Sequence, residues 1–270
     1  MKYCIGITGS TGSLGQVILK RFKKFKIKAF KGDIRNRNEV FNWVLKNKIQ
    51  IIIHLAAIVP IKIVNQNKKK AKEVNLIGTK NIVDASIRND IRWFFFSSTS
   101  HVYSSSSKAI SERCLKKPIS FYGETKLLAE KYIIQKFKKN QIPFCIGRIF
   151  STTNKNQKKN YLVPDLKKKI KRSKITITLN NLNHYRDFIS MEDISEIIHL
   201  LLKKKYQGIL NLGTGKPTFL KEIAQKISQK FKKEIYFKDN TNTTYLIADI
   251  KKLKKIYKKK FNKSLERMIF

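Results

Sequence analysis

Acidic residues are scarce in this chain. Its 270 residues hold 18 Asp or Glu against 59 Lys or Arg, for a formal net charge of +41. Glycine and proline are sparse too, at 11 and 5, which excludes disordered, collagenous and low-complexity classes. The three cysteines, Cys4, Cys114 and Cys145, lie far apart with no CxxC spacing, so neither a disulfide framework nor a zinc site is suggested. The histidines His54, His101, His184 and His199 show no ligand spacing either. No metal is expected, and His54, inside an apolar run, reads as a satisfied core residue. The longest apolar stretch, from Ile51 to Val64, is broken by His54 and Pro60 and falls short of the ~20 residues of a membrane span. The opening residues run straight into a strand pattern without a leader. The expectation is a soluble, cytoplasmic protein with no membrane partner.

What is present supports a folded enzyme-sized domain. Hydrophobic residues make up 41% and aromatics 11%, enough for a sizeable core. The lysines recur on almost every expected helix and loop, at 68–70, 167–169, 203–205 and 258–260, not along one stripe with interleaved aromatics. That distribution reads as a solvated surface, with no specific nucleic-acid partner.

Apolar runs alternate with helix-period segments, the pattern of a parallel sheet covered on both faces. Strands are expected at Tyr3–Thr8, Lys26–Phe30, Ile49–Ala56, Trp93–Ser98 and Ile142–Arg148. Helices are expected at Ser13–Phe25, Glu39–Lys46, Lys69–Arg88 and Tyr122–Lys138. The texture changes after Arg148, where Asn154–Tyr161 reads as a polar loop. Beyond it the pattern gives helices at Val163–Ile170 and Met191–Leu202, a strand at Ile175–Leu179, and a helix opened by Pro217 that runs to Phe231. The last forty residues suggest one strand and one lysine-rich helix. The expected fold is α/β, a doubly wound parallel sheet with a smaller C-terminal α/β lobe. Residues 1–150 would form the main domain and 151–270 the lobe, with strand 209–212 returning to the main sheet.

Two constellations carry chemistry. Gly9, Gly12 and Gly15 form GSTGSLG between a strand and a helix, where glycines allow the backbone and helix N-terminus to approach a pyrophosphate. Tyr122 and Lys126 stand at i and i+4 of an expected helix, so phenol and ammonium share one face. A neighbouring cation favours the phenolate that a proton shuttle needs.

Together these motifs resemble the extended short-chain dehydrogenase/reductases, the NAD-dependent epimerase/dehydratase family that acts on nucleotide sugars. The resemblance runs through GSTGSLG, GDIRN at Gly32, HLAA at His54, VNLIGTKNIVDAS at Val74, FFFSSTSHVYS at Phe94, YGETKLLAE at Tyr122, RDFISMEDI at Arg186 and NLGTGKPTFLKEIA at Asn211. It implies that Tyr122 is the general base and acid, that Lys126 lowers its pKa and holds the nicotinamide ribose, and that Thr99 bonds the reacting sugar oxygen. It assigns cofactor binding to Gly9, Thr11, Gly12, Ser13, Leu14, Gly15, Leu55, Ala56, Ala57 and Ser97. Asp33 would receive the adenine amino group with Ile34 flanking the ring; a loop Asp bonding its own backbone is the lesser alternative. Asn75 either supports the cofactor site behind Lys126 or only packs. Arg186 would pair with the substrate diphosphate. The resemblance also implies a Rossmann-type fold with residues 1–150 as the dinucleotide-binding domain and 151–270 as the substrate-binding lobe, NAD as cofactor with NADP not excluded, and a homodimer built from the helices at 69–88 and 122–138.

The chain also departs from the family pattern. Only 18 residues separate Gly15 from Asp33 by numbering, so the element carrying the ribose-binding acid is missing or merged. Ser104 stands where a glycine follows the Val-Tyr pair, and the segment from Ser151 replaces the usual substrate loop. Ser100 and His101 follow Thr99 in place of the Asp-Glu pair of 4,6-dehydratases, which disfavours dehydration. The reading reached is an NAD(P)-dependent enzyme working at sugar C4 through a 4-keto species, foremost an epimerase. A 4-keto-6-deoxy-sugar-nucleotide reductase is the alternative. A non-catalytic module that senses NAD(P) or binds nucleic acid is the alternative of another class.

Overall fold

The computed structural model describes residues 3–155, 157, 160–261 and 264–270. Positions 1 and 2 of the opening, and 156, 158 and 159 of the expected polar loop, lie outside the described residues. Strands β1 (Cys4–Thr8), β2 (Lys26–Ala29), β3 (Ile51–His54), β4 (Trp93–Thr99), β5 (Phe144–Ile149) and β9 (Gly208–Leu212) form one parallel sheet in the order β2-β1-β3-β4-β5-β9. Their sequences explain the double burial. Ile51 and Ile53, like Trp93 and Phe95, enter the core on one face. Ile52, Phe94 and Phe96 enter the core on the other, as the two-residue period of a strand requires.

Helix α1 (Ser13–Arg21) lies on the first face and α2 (Arg37–Lys46) on the second. The expected helix to Phe25 stops at Arg21, because the chain turns through Phe22, whose N–H still bonds Ile18, and Phe25 N–H bonds Phe22 in order to enter β2. The expected helix from Lys69 is interrupted. After the short α3 (Ile61–Gln66) and α4 (Lys68–Lys72), a π-helical turn at Glu73–Gly78 leads into α5 (Thr79–Arg88). Helix α6 (Phe121–Lys139) is capped by Ser120, whose side chain accepts Gly123 N–H at 3.1 Å.

Beyond β5 the chain adds β6 (Ser151–Thr153), α7 (Leu162–Arg172), β7 (Thr176–Asn180), β8 (His184–Ser190) and α8 (Met191–Lys203). After β9 come β10 (Pro217–Phe219), α9 (Leu220–Phe231), β11 (Glu234–Lys238), β12 (Thr244–Leu246), α10 (Lys251–Ile256) and α11 (Leu265–Ile269). Pro217 therefore opens a strand rather than a helix. It sits on β10, an edge strand antiparallel to β8, where the missing N–H can be tolerated. Among the described residues the final forty hold two strands and two short helices, not one of each. Strand β8 is the hub of this part, flanked by β10 and β12 and joined by β6. Helices α7 and α9 share a separate apolar cluster with Leu179 and Phe188.

Candidate active site

The C-terminal ends of the parallel strands open onto one cavity of about 1400 Å³. At one end stands the glycine turn. Gly9 has φ +71°, a conformation that L side chains rarely adopt, and a Cβ there would lie 2.6 Å from Ala56 N. A Cβ on Gly15 would lie 2.3 Å from Gly9 O, so that position is filled by backbone. Gly12 differs: its added Cβ would meet only Gly9 O, at 3.2 Å. The surface in front of the N-terminus of α1 is therefore open, as an incoming pyrophosphate requires. Thr11, Ser13 and Leu14 line the same end, and Leu55, Ala56 and Ala57 form its wall. Thr8 Oγ1 holds that wall by accepting the N–H groups of Leu55 and Ala56, each at 3.2 Å.

Asp33 and Ile34, just beyond β2 and so beside the glycine turn that follows β1, also line the cavity. The Asp33 carboxylate is already engaged. Arg35 donates to it from Nε and from Nη2, the latter at 2.6 Å, and Asp33 Oδ1 accepts Arg35 N–H at 2.9 Å. The side chain thus lines the cavity and also bonds the backbone of its own loop. The Arg35 hydrogen bond pulls the carboxyl below its ordinary range. Asn75 does not reach the cavity. It is fully buried, accepts Ile58 N–H at 2.7 Å, and donates to Ile58 O and Thr125 Oγ1. Of its two expected roles the geometry describes the supporting one: it clamps the loop after β3 to α6.

At the centre stand Ser97, Thr99 and Tyr122. Burial and the neighbouring Tyr161 push the Tyr122 phenol upward, while the Thr99 hydroxyl beside it works the other way. Lys126, one turn along α6, is fully buried, with Nζ 4.0 Å from the centroid of the Phe96 ring. Burial lowers it to about 7, against the opposing pull of Glu130. Desolvation is the largest influence on both residues and disfavours the charged form of each. Behind them Glu130 accepts from Ser98 and forms a 2.6 Å ion pair with Arg148, whose Nη1 donates to Tyr103 Oη at 2.7 Å. This buried network fixes α6 against β4 and β5.

Arg186 faces the cavity from β8. Its Nη1 donates to Tyr185 O and Thr244 O, and Nη2 to Thr244 Oγ1 at 3.0 Å. No carboxylate pairs with it among the described residues, and burial lowers it to about 10. Such an unneutralised guanidinium is suited to an anion. The sequence reading missed His101 and Tyr161, both of which line the cavity. The only signal for His101 was its position two residues after Thr99. His54 is buried, with Thr8 Oγ1 at 2.6 Å and Thr79 Oγ1 at 2.9 Å from its two ring nitrogens. Among the described residues no three His, Cys, Asp or Glu gather as a metal site, and no helix is long and apolar enough to cross a membrane.

A family model described as GDP-mannose 4,6 dehydratase matches residues 7–268. The chain belongs to the NAD-dependent epimerase/dehydratase family of extended short-chain dehydrogenase/reductases. Its relatives in this family divide by reaction. GDP-6-deoxy-D-talose 4-dehydrogenase of Aggregatibacter actinomycetemcomitans is 27% identical over 245 residues, covering 87% of this chain and 82% of that protein. dTDP-D-glucose 4,6-dehydratase of Dictyostelium discoideum is 24% identical over 240 residues, or 84% of this chain, which spans about half of that longer protein (54%). Among solved structures, UDP-glucose 4-epimerase of Thermus thermophilus in complex with NAD superposes with a TM-score of 0.88 at 18% identity, covering 98% of this chain and 96% of that one. That likeness establishes the shared Rossmann-type fold.

Proposed function

We propose that this extended short-chain dehydrogenase/reductase interconverts nucleotide sugars at C4 through a 4-keto species, as an epimerase. The observation that carries the reading is the placement of Thr99 and Tyr122 in one cavity between the open glycine turn and the unpaired Arg186. The Thermus epimerase holds NAD, and the open surface before Gly12 fits the pyrophosphate of such a dinucleotide. A dinucleotide held there would supply the hydride acceptor and donor for the change at C4. Tyr122 Oη takes the proton from the C4 hydroxyl and later returns it, while Thr99 Oγ1 holds the same sugar oxygen. Lys126 supports the phenolate once the cofactor's positive charge adds to its own. Arg186 anchors the diphosphate, and residues 151–270 supply the lobe that carries it.

Dehydration is disfavoured by the lining. Among the described residues the cavity's carboxylates are Asp33, at the adenosine end, and Asp165, which accepts Asn160 N–H at 2.9 Å. Neither stands beside Thr99 in sequence, where a C6 hydroxyl would need an acid. The 4-dehydrogenase named above supports a second reading, a one-way reductase of a 4-keto-6-deoxy-sugar nucleotide. Incubation with NAD+ or NADPH and a panel of UDP-, GDP- and dTDP-sugars separates the two. An epimerase yields the C4 epimer with no net change in cofactor, and a reductase consumes NADPH one for one. No product from any member of the panel would overturn both readings.

We also propose a homodimer through the helices at 68–88 and 121–139. Of the apolar residues suited to that seam, Ile77 and Leu128 are exposed, at 42% and 37%, whereas Leu127 and Ile134 pack inward.

A further inference from the structure

We propose that His101 is a sugar-recognition residue, its neutral imidazole presenting Nε2–H to a hydroxyl of the hexose beside the reacting carbon. The inference rests on the nucleotide-sugar reading above and deepens it.

His101 belongs to a 3-10 turn, Ser100–Val102, that prolongs β4 immediately after Thr99. The turn is pressed against the start of α6: a Cβ on Gly123 would lie 2.1 Å from His101 O, so only glycine admits the approach. That packing sets the imidazole 6.1 Å from the Tyr122 ring, edge to face. His101 Nδ1 lies 3.1 Å from Ser120 Oγ. Ser120 Oγ already accepts the N-cap bond from Gly123 N–H, so its own proton is available for Nδ1. A neutral ring that accepts at Nδ1 carries its hydrogen on Nε2. Among the described residues nothing hydrogen-bonds Nε2, and His101 lines the cavity.

The charge state fits a hydrogen-bonding role. Burial first, and the Arg186 charge second, lower His101 to about 4. The ring is therefore neutral near pH 7, and it lies within the electrostatic reach of Arg186. A sugar that places its diphosphate on Arg186 and its C4 oxygen between Thr99 and Tyr122 must span the region that His101 borders. A neutral donor there reads a hydroxyl without competing with Arg186 for the anion.

Two near-isosteric variants separate recognition from bracing. Asn places an amide near the Nδ1 position and can restore the Ser120 contact, whereas Gln extends an N–H donor toward the Nε2 position. Calorimetry would compare UDP-glucose, GDP-mannose and dTDP-glucose with UDP, GDP and dTDP on the wild-type protein and on His101→Ala, His101→Asn and His101→Gln. For the nucleotide sugar that binds wild type, Ala and Asn should weaken affinity about tenfold, in the range of one hydrogen bond whose partner is left unpaired. Gln should stay within about twofold, and the matching nucleoside diphosphate should bind all four proteins alike. Rescue by Asn but not Gln would overturn the proposal and make His101 a brace for Ser120. So would equal losses for sugar nucleotide and diphosphate, or no loss in any variant. Failure of every nucleotide sugar to bind wild type would overturn the nucleotide-sugar reading itself and this proposal with it.

Discussion

Arg186 and Asp187 are neighbours on β8 and serve opposite sides of it. Arg186 faces the cavity, while the buried Asp187 carboxylate accepts Thr214 N–H and Oγ1–H, Gly215 N–H and Ala248 N–H at 2.6–3.2 Å. The alternation of a strand thus turns one residue of the Arg-Asp-Phe motif to the cavity and the next to the turn that ends β9. Arg186→Lys should raise KM for the nucleotide sugar about tenfold, with the melting temperature kept, because charge remains and the planar fork is lost. Asp187→Ala should instead lower stability by about 3 kcal/mol or more, since four donors lose their acceptor. Steady-state kinetics with thermal melting checks both, and matching effects from the two variants would contradict the division.

The glycine turn gives a second separation. Gly12→Val should abolish dinucleotide binding by calorimetry while the protein stays folded, because Gly9 O need give by only a few tenths of an ångström and the rest of the side chain projects into the cavity before the helix N-terminus. Gly15→Ala should lower the melting temperature, since its Cβ collides with Gly9 O. Unchanged dinucleotide affinity in Gly12→Val would make that position merely structural.

Tyr122→Phe should reduce kcat by about 10²-fold or more while nucleotide-sugar affinity is largely kept, as expected for loss of a general acid and base. Turnover equal to wild type would remove Tyr122 from the proton path.

Acid should destabilise the protein through its buried imidazoles. Burial lowers His54 to about 3 and His101 to about 4, while the unfolded chain takes up protons near the usual value of about 6.5. The folded state then binds fewer protons, so stability is full above pH 6.5 and is lost as pH falls toward 4. Melting temperatures between pH 8 and 4.5 should decline below about 6.5, and His54→Gln should flatten the decline. The same slope in that variant would exclude His54 as a source.

Association is tested at Leu128. Leu128→Glu places a repeated like charge at a two-fold seam and should convert a dimer to a monomer by light scattering at micromolar concentration. A wild-type monomer under those conditions would refute the seam.

Much of this architecture was legible in the residues because the central strands are buried twice. Runs such as Ile51–Ile53 and Trp93–Phe96 have no polar face to confuse with a helix, and the glycine turn sits where such a strand stops. The elements around β8 were less legible. Strands β6, β10 and β12 span three residues each, too short for periodicity, and Pro217 is equally at home in a helix start or on a strand edge. Asn75 and His101 mark the limit within the site. Which way each side chain points depends on a π-helical turn and a 3-10 turn, local windings that the spacing of apolar residues does not encode.

The open flank of the sheet gives part of the charge a mechanical meaning. Strand β2 pairs only with β1 in the main sheet, and Lys26 and Lys28 are exposed along it. An unpaired strand invites another chain to add to it, and lysines on such a strand oppose that growth. Two of the surplus positive charges thus stand where they oppose fibril-like stacking on this edge of the sheet.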